Sequence, residues 1–151
     1  MGINHRIKSG ENTLLRRVLI DTGPLVALAN ASDAHHASCT KQVLGIRPPL
    51  LTCWPVLTEA QWLLRRYPGS VKVLLELCQK GILRVLSIPD AALPWLEQRF
   101  HQYQDMQPQL ADLVLLYFLS HKESETIFTL DKRDFTIYQR NAPQPFRIVP
   151  E

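Results

Sequence analysis

The chain has the length and composition of one ordinary globular domain, with 151 residues, 46% hydrophobic, 21% charged and a net charge of +3. This composition excludes a disordered polypeptide, and the mild positive charge is compatible with a nucleic-acid ligand without requiring one. No apolar run reaches the roughly 18 residues of a membrane span, and residues 1–16 lack the apolar stretch of a signal peptide. We therefore expect a soluble, cytoplasmic protein with no membrane partner. We also expect a poorly ordered arm at residues 1–16 and a single domain at residues 17–151.

Short apolar runs alternate with helical patterns along the chain. The predicted strands are residues 18–20, 50–52, 83–86, 126–130 and 146–149. The predicted helices are residues 24–30, 33–44, 54–66, 70–80, 89–103 and 109–121. Pro24 is suited to a first helical position, Asp33 and Ser70 to N-caps, and Gly81 to the position just past a helix end. Strands and helices that alternate in this way predict a three-layer α/β/α domain with a central, mostly parallel five-stranded sheet.

An aspartate directly follows the first predicted strand, in the motif Asp21-Thr22-Gly23-Pro24. Ligands of open parallel sheets bind outside the carboxyl ends of the strands, so Asp21 lies where a functional site is expected. A carboxylate in that place must be solvated by a cleft, paired or bound to a metal, because burying it alone is too costly.

Two further acids lie on predicted helices. Glu59 falls at the edge of its helix's apolar stripe, beside Val56 and Leu63. Asp112 lies in the first turn of a helix that is apolar nearly all round and is therefore predicted to be buried. The positive end of the helix dipole favours its ionised form, and an aspartate that only supports the helix start is an equally good interpretation of Asp112 alone.

A fourth acidic motif follows a later strand. Asp131 ends the sequence Thr129-Leu130-Asp131, and Asp134 follows three residues later, where the two could share one face of a helical turn or cap the next helix. Each acid alone can be read as a cap or a surface charge, but together they fit one site. Clustered carboxylates repel one another unless a divalent cation compensates them, and ligands that are all oxygen favour Mg²⁺ or Mn²⁺ over zinc.

These motifs together resemble those of PIN-domain proteins of the VapC toxin type. The resemblance covers residues 18–149 and is carried by Asp21-Thr22-Gly23-Pro24-Leu25-Val26-Ala27-Leu28, Val56-Leu57-Thr58-Glu59-Ala60, Ala111-Asp112 and Thr129-Leu130-Asp131-Lys132-Arg133-Asp134-Phe135. It implies a PIN fold and a Mg²⁺- or Mn²⁺-dependent ribonuclease that acts as a toxin. It also implies a cognate antitoxin and, commonly, a homodimer.

The resemblance also assigns roles to individual residues. It implies catalytic, metal-binding acids at Asp21, Glu59, Asp112 and Asp131, with supporting residues at Thr22, Thr129 and Asp134. Two features depart from the family pattern. Leu113 occupies the position after the third acid, where the family usually has a small alanine, and an arm precedes the first strand. Neither departure affects an acid.

An RNA substrate would need cations beside these acids. Lys132 and Arg133 directly follow Asp131, and we expect them to contact phosphate. Two more basic pairs are Arg16-Arg17 and Arg65-Arg66, although any one such pair is more often a solvated surface.

Two other functions are possible on the same residues. A catalytically weak PIN module could act as an RNA- or protein-binding regulatory subunit, but such modules tend to lose acids, and all four are present here. A phosphatase with an aspartyl nucleophile needs a second aspartate two residues after the first, and Gly23 occupies that position. This excludes the phosphatase.

Other motifs give weaker signals. His35, His36 and Cys39 suggest zinc ligands, but the set is too sparse, and ordinary helix residues are the better interpretation. The three cysteines lack CxxC spacing, which indicates reduced thiols packed as small apolar residues. Three tryptophans could stack on bases, but their apolar neighbours favour packing in the core or an interface; they are Trp54, Trp62 and Trp95.

Overall fold

A five-stranded sheet forms the centre of the computed structural model, which describes residues 13–151. Its strands are β1 (Val18–Ile20), β2 (Leu50–Cys53), β3 (Leu83–Leu86), β4 (Thr126–Phe128) and β5 (Arg147–Val149). Their order is β3-β2-β1-β4-β5, and every neighbouring pair is parallel. The predicted α/β class and five-stranded sheet are confirmed.

Helices connect the strands of the described chain. They are α1 (Thr22–Ala29), α2 (His36–Val43), α3 (Trp54–Leu63), α4 (Pro68–Gln79), α5 (Leu93–Gln102), α6 (Leu110–Ser120) and α7 (Lys132–Asn141). Short 3₁₀ turns flank α5, at Asp90–Ala92 and Gln104–Met106. Because parallel crossovers are right-handed, this strand order assigns α1–α4 to one face of the sheet and α5–α7 to the other. Among residues 13–151, no helix is both long enough and apolar enough to cross a membrane.

The core lies between the sheet and these two helical layers. All residues of β1 are fully buried, as expected for a central strand with both faces covered. Leu19 of β1 lies opposite Leu51 of β2 and Ile127 of β4, which forms an apolar row across the sheet. The helix α6 is buried on nearly all sides, as its sequence predicts.

Three predicted helix starts are wrong. The Asp21 side chain caps α1, so this helix begins before Pro24, which becomes its third residue. Asp33 does not cap α2, because its carboxylate accepts the His35 N–H (2.8 Å) in the turn before the helix. Ser70 lies inside α4, which begins at Pro68. Each residue is compatible with two places near a helix start, and the sequence pattern alone does not choose between them.

The predicted arm is described only from residue 13 onwards, and residues 1–12 lie outside the described part of the chain. Leu15 forms a parallel bridge with Ile46 and packs against the core. Its N–H donates to the Gly45 carbonyl (2.9 Å), and its carbonyl accepts from the Arg47 N–H (2.8 Å). The segment just before β1 is therefore joined to the segment just before β2.

Gly81 lies just past the end of α4, as predicted, with a φ of 73°. We expect Gly81→Ala to lower the free energy of unfolding by about 1–2 kcal/mol, because a Cβ is strained in this left-handed conformation. Gly69→Ala is the matched control, since a Cβ added there, in the first turn of α4, meets nothing within 4 Å. That variant should keep its stability or gain up to about 1 kcal/mol. Urea unfolding measures the stability of both variants. Equal losses of stability in the two would contradict the left-handed conformation of Gly81.

Candidate functional site

Five carboxylates line one cavity of about 510 Å³ at the carboxyl edge of the sheet. They belong to Asp21, Glu59, Asp112, Asp131 and Asp134. Asp21 and Asp131 lie close to the ends of β1 and β4, which are parallel neighbours in the sheet, so both acids lie at the same edge. The helices α3 and α6 pack against each other and bring their acids to the same edge.

Asp21 is the most firmly held of the five acids. Its backbone N–H donates to the Phe128 carbonyl (2.9 Å), which continues the pairing of β1 with β4. One side-chain oxygen accepts the Thr22 N–H (2.7 Å), and the other accepts the Thr129 hydroxyl (2.8 Å). Only 7% of Asp21 is exposed, so these hydrogen bonds replace most of its water.

Two buried threonines link the acids to one another. The Thr129 hydroxyl donates to Asp21 and accepts from the Asp131 N–H (2.9 Å). The Thr22 hydroxyl donates to the Glu59 carboxylate (3.0 Å), which joins the start of α1 to α3. These are the contacts that a residue needs if it is to orient metal-binding carboxylates.

Asp112, Asp131 and Asp134 lie closest together. Each offers one carboxylate oxygen, and the three oxygen atoms lie within 4.8 Å of one another. Among the described residues, this is the one group of three or more Asp, Glu, His or Cys side chains that lie close enough together to hold a metal ion. Asp21 and Glu59 line the same cavity but are outside this trio. Asp134 was predicted to be a supporting residue only, but its position is that of a candidate ligand. The sequence signal for Asp134 was its place three residues after Asp131. In the structure, Asp131 caps α7 by accepting the Asp134 N–H (3.3 Å), which holds the two acids side by side.

Gln109 also lines the cavity and was not predicted to be a site residue. It precedes α6, and with its amide nitrogen turned toward Glu59 it donates to both carboxylate oxygens, at 2.8 and 3.2 Å. A single glutamine at a helix start has no distinguishing pattern, so no sequence signal was available.

Burial and mutual repulsion act on the protonation of these acids. Burial raises the pKa of Asp112 to about 7, and the charges of Asp21, Asp131 and Glu59 add to this effect. Burial also raises the pKa of Asp21, despite the opposing hydrogen bonds from Thr129 and Thr22. A divalent cation would offset the repulsion, and a set of donors that is all oxygen fits a hard cation such as Mg²⁺ or Mn²⁺.

An apolar cavity of about 760 Å³ adjoins the acidic one and shares Glu59, Leu63 and Gln109 with it. Trp54 and Trp62 line it and are 62% and 61% exposed, so they do not pack in the core, and their packing in an interface stays a prediction. The spacing of eight residues puts both on the outward face of α3. Trp95, by contrast, is partly buried and packs edge-on against Tyr117.

The histidine and cysteine motif has ordinary structural contacts. The His36 ring nitrogen Nδ1 lies 2.7 Å from the Ala27 carbonyl oxygen. Cys39 packs in the core, and Cys53 is also buried. All three cysteines are free thiols.

Lys132 and Arg133 are exposed in the first turn of α7, directly after Asp131. Among the described residues, neither forms an ion pair. Both cations are thus free to meet an anionic ligand beside the acidic cavity.

Comparisons with known proteins show what the chain is similar to. No family model matches the chain. The chain is 24% identical over 136 residues to ribonuclease VapC26 of Mycobacterium tuberculosis (strain ATCC 25618 / H37Rv), a match that covers 88% of this chain and all of that protein. Its fold is similar to the crystal structure of Mycobacterium tuberculosis VapC20, described as a sarcin-ricin loop cleaving toxin, with a TM-score of 0.68 and 20% identity. That superposition covers 80% of this chain and 94% of the other, and it shows a shared fold.

The raised pKa of Asp112 makes the stability of the metal-free protein depend on pH. The folded state holds a proton on Asp112 up to about pH 7, whereas the unfolded state loses it near the ordinary value of 3.8. Stability should therefore fall as pH rises between these values. Asp112→Asn should unfold at a higher temperature than wild type at pH 8 in EDTA, and the difference should shrink at pH 5.

Thermal unfolding at both pH values measures this effect. Glu97→Gln, which removes an exposed acid of α5, is the control and should show no such pH-dependent gain. An Asp112→Asn variant that is less stable than wild type at pH 8 without metal would contradict the electrostatic account.

Proposed function

We propose that the chain is a PIN-domain protein of VapC type and a metal-dependent endoribonuclease that hydrolyses RNA phosphodiesters. We further propose that it is the toxin of a toxin–antitoxin pair. The observation that carries the proposal is the acidic cavity, which five carboxylates from distant parts of the chain line together. The sequence similarity to a ribonuclease and the fold similarity to an RNA-cleaving toxin support it.

The acidic cavity fits a Mg²⁺ or Mn²⁺ ion. Asp112, Asp131 and Asp134 would hold the ion with one carboxylate oxygen each, and Asp21 and Glu59 lie where they can complete its surroundings. When bound, such an ion polarises water and neutralises charge that develops on a scissile phosphate.

The protein's own side chains position the reacting groups. Hydrogen bonds from both sides hold the Asp21 carboxylate in one orientation. Glu59 is oriented by the Thr22 hydroxyl and the Gln109 amide, which leaves its carboxylate facing the cavity, where it can orient the attacking water. The hydrogen bonds from Thr22 and Thr129 keep the carboxylates from turning away as substrate enters.

Lys132 and Arg133 are the proposed contacts to substrate phosphate. They are exposed and adjacent to Asp131, so a phosphate beside them lies near the acids. Such contacts would position RNA without reading its sequence.

A protein partner is part of the same proposal. Exposed apolar side chains flank the acids on α3 and at the start of α6, namely Trp54, Trp62, Leu63 and Leu110. An apolar surface of this kind beside a catalytic cavity suits a cognate antitoxin or a second copy of the chain. The same surface would serve the alternative function, a catalytically weak binding module.

Cleavage of a mixed RNA by the purified protein tests the enzymatic proposal. We expect cleavage with Mg²⁺ or Mn²⁺, none with EDTA, and a loss of at least about 100-fold in Asp21→Asn and Asp112→Asn. Glu97→Gln serves as the control, and circular dichroism checks that each variant is folded. Cleavage that persists in EDTA, or that survives in folded Asp112→Asn, would refute the assignment.

A further inference from the structure

Four arginines surround one cavity at the amino edge of the sheet. Arg16 and Arg17 immediately precede β1, Arg47 lies shortly before β2, and Arg84 is the second residue of β3. Together they line a cavity of about 180 Å³, which Leu51 also lines. Because all five strands are parallel, this edge is opposite the one that carries the acids, about 10–13 Å away along strands of three or four residues.

Backbone pairing brings these arginines together from three separate segments. The bridge between Leu15 and Ile46, with the hydrogen bond from the Arg47 N–H to the Leu15 carbonyl (2.8 Å), holds the segment of Arg16 beside that of Arg47. Arg84 lies beside Leu51 in the register of β3 with β2. The cluster is therefore a consequence of the sheet and not of a single basic run.

Within the described part of the chain, most of the positive charge of the cluster has no acidic partner. The Arg17 guanidinium donates to the Glu123 carbonyl (2.9 and 2.7 Å) and pairs with its carboxylate (3.2 Å). Arg16, Arg47 and Arg84 are exposed, and within residues 13–151 none of their side chains has an ion pair or hydrogen bond. Like charges around a small cavity repel one another, and a bound anion would relieve that repulsion.

The chemistry of the cluster favours phosphate. A guanidinium presents a planar fork of N–H donors that matches two phosphate oxygens, and it stays charged at every physiological pH. The cavity is at the surface, so a polymer can reach it as well as a small ion. The acidic cavity, in contrast, repels an RNA backbone, and Lys132 and Arg133 are the cations that follow its acids directly.

We propose that the arginine pocket (Arg16, Arg17, Arg47 and Arg84) binds a backbone phosphate of the RNA substrate, away from the site of cleavage. This proposal rests on the proposed function, since it takes RNA as the ligand. The pocket would hold the RNA on the domain while the acids act on another part of it. Its contribution is electrostatic and independent of base sequence.

The salt dependence of RNA binding tests the pocket. A labelled, mixed-sequence single-stranded RNA is titrated with the full chain carrying Asp112→Asn, in EDTA, so that no cleavage occurs. Against this background, Arg47→Gln with Arg84→Gln should flatten the slope of log affinity against log salt by about 0.7, the value for one lost phosphate contact on a single strand. Between 50 and 200 mM salt, that change amounts to a roughly 2.6-fold smaller loss of affinity.

The matched control removes two exposed cations elsewhere, through Lys80→Gln with Arg140→Gln. We expect this variant to keep the slope of the background protein. Arg47→Lys with Arg84→Lys keeps the charge and should retain most of the slope. Equal slopes for the arginine-to-glutamine pair and the control pair would overturn the proposal.

Inorganic phosphate distinguishes the two sources of a phosphate group. If phosphate raises the unfolding temperature of the wild type but not of the arginine-to-glutamine pair, while RNA binding is the same in both, the pocket takes a small anion and the RNA proposal is overturned. Because the binding assay does not depend on cleavage, its result is independent of whether the protein is a nuclease. A wild-type protein that fails to cut RNA but shows the predicted change of slope would refute the nuclease and support the pocket.

Discussion

The burial of the Asp21 carboxylate between β1 and β4 is the constraint on which the rest of the site depends. A carboxylate placed there without partners would cost several kcal/mol, so the fold must supply donors to both oxygens. The Thr22 N–H and the Thr129 hydroxyl supply them, and Thr129 in turn receives the Asp131 N–H. One buried acid therefore fixes the start of α1, the end of β4 and the approach to α7 relative to one another.

The clustered acids that form the site also destabilise the metal-free protein. Packing five carboxylates into one cavity raises the pKa of Asp112 to about 7 and raises that of Asp21, because burial and repulsion disfavour the charged forms. In the metal-free protein, the burial of apolar side chains around β1 and α6 has to offset this repulsion. The sheet also separates charge, with carboxylates at its carboxyl edge and arginines at its amino edge. An RNA that spans both edges would be attracted by the arginines at the amino edge. It would also be attracted at the carboxyl edge once a cation is bound there.

Sequence alone predicts the parts of this protein that are locally encoded. The fully buried β1 has the bounds that its apolar run indicates, and the class of the fold follows from strands alternating with helices. What the sequence could not predict depends on contacts between distant segments. The exposure of Trp54 and Trp62 is decided by which face of α3 meets α6, and the nearness of Asp134 to Asp112 by how α7 leaves β4. The arginine pocket likewise exists only once three segments lie side by side in the sheet.

Anomalous scattering from crystals soaked in Mn²⁺ tests most directly whether these acids form a cation site. We predict a manganese peak bounded by the carboxylates of Asp112, Asp131 and Asp134, on the side of the cavity that faces Asp21. The peak should be absent from crystals of Asp112→Asn. Manganese bound elsewhere on the protein, with no peak among these three carboxylates, would contradict the account.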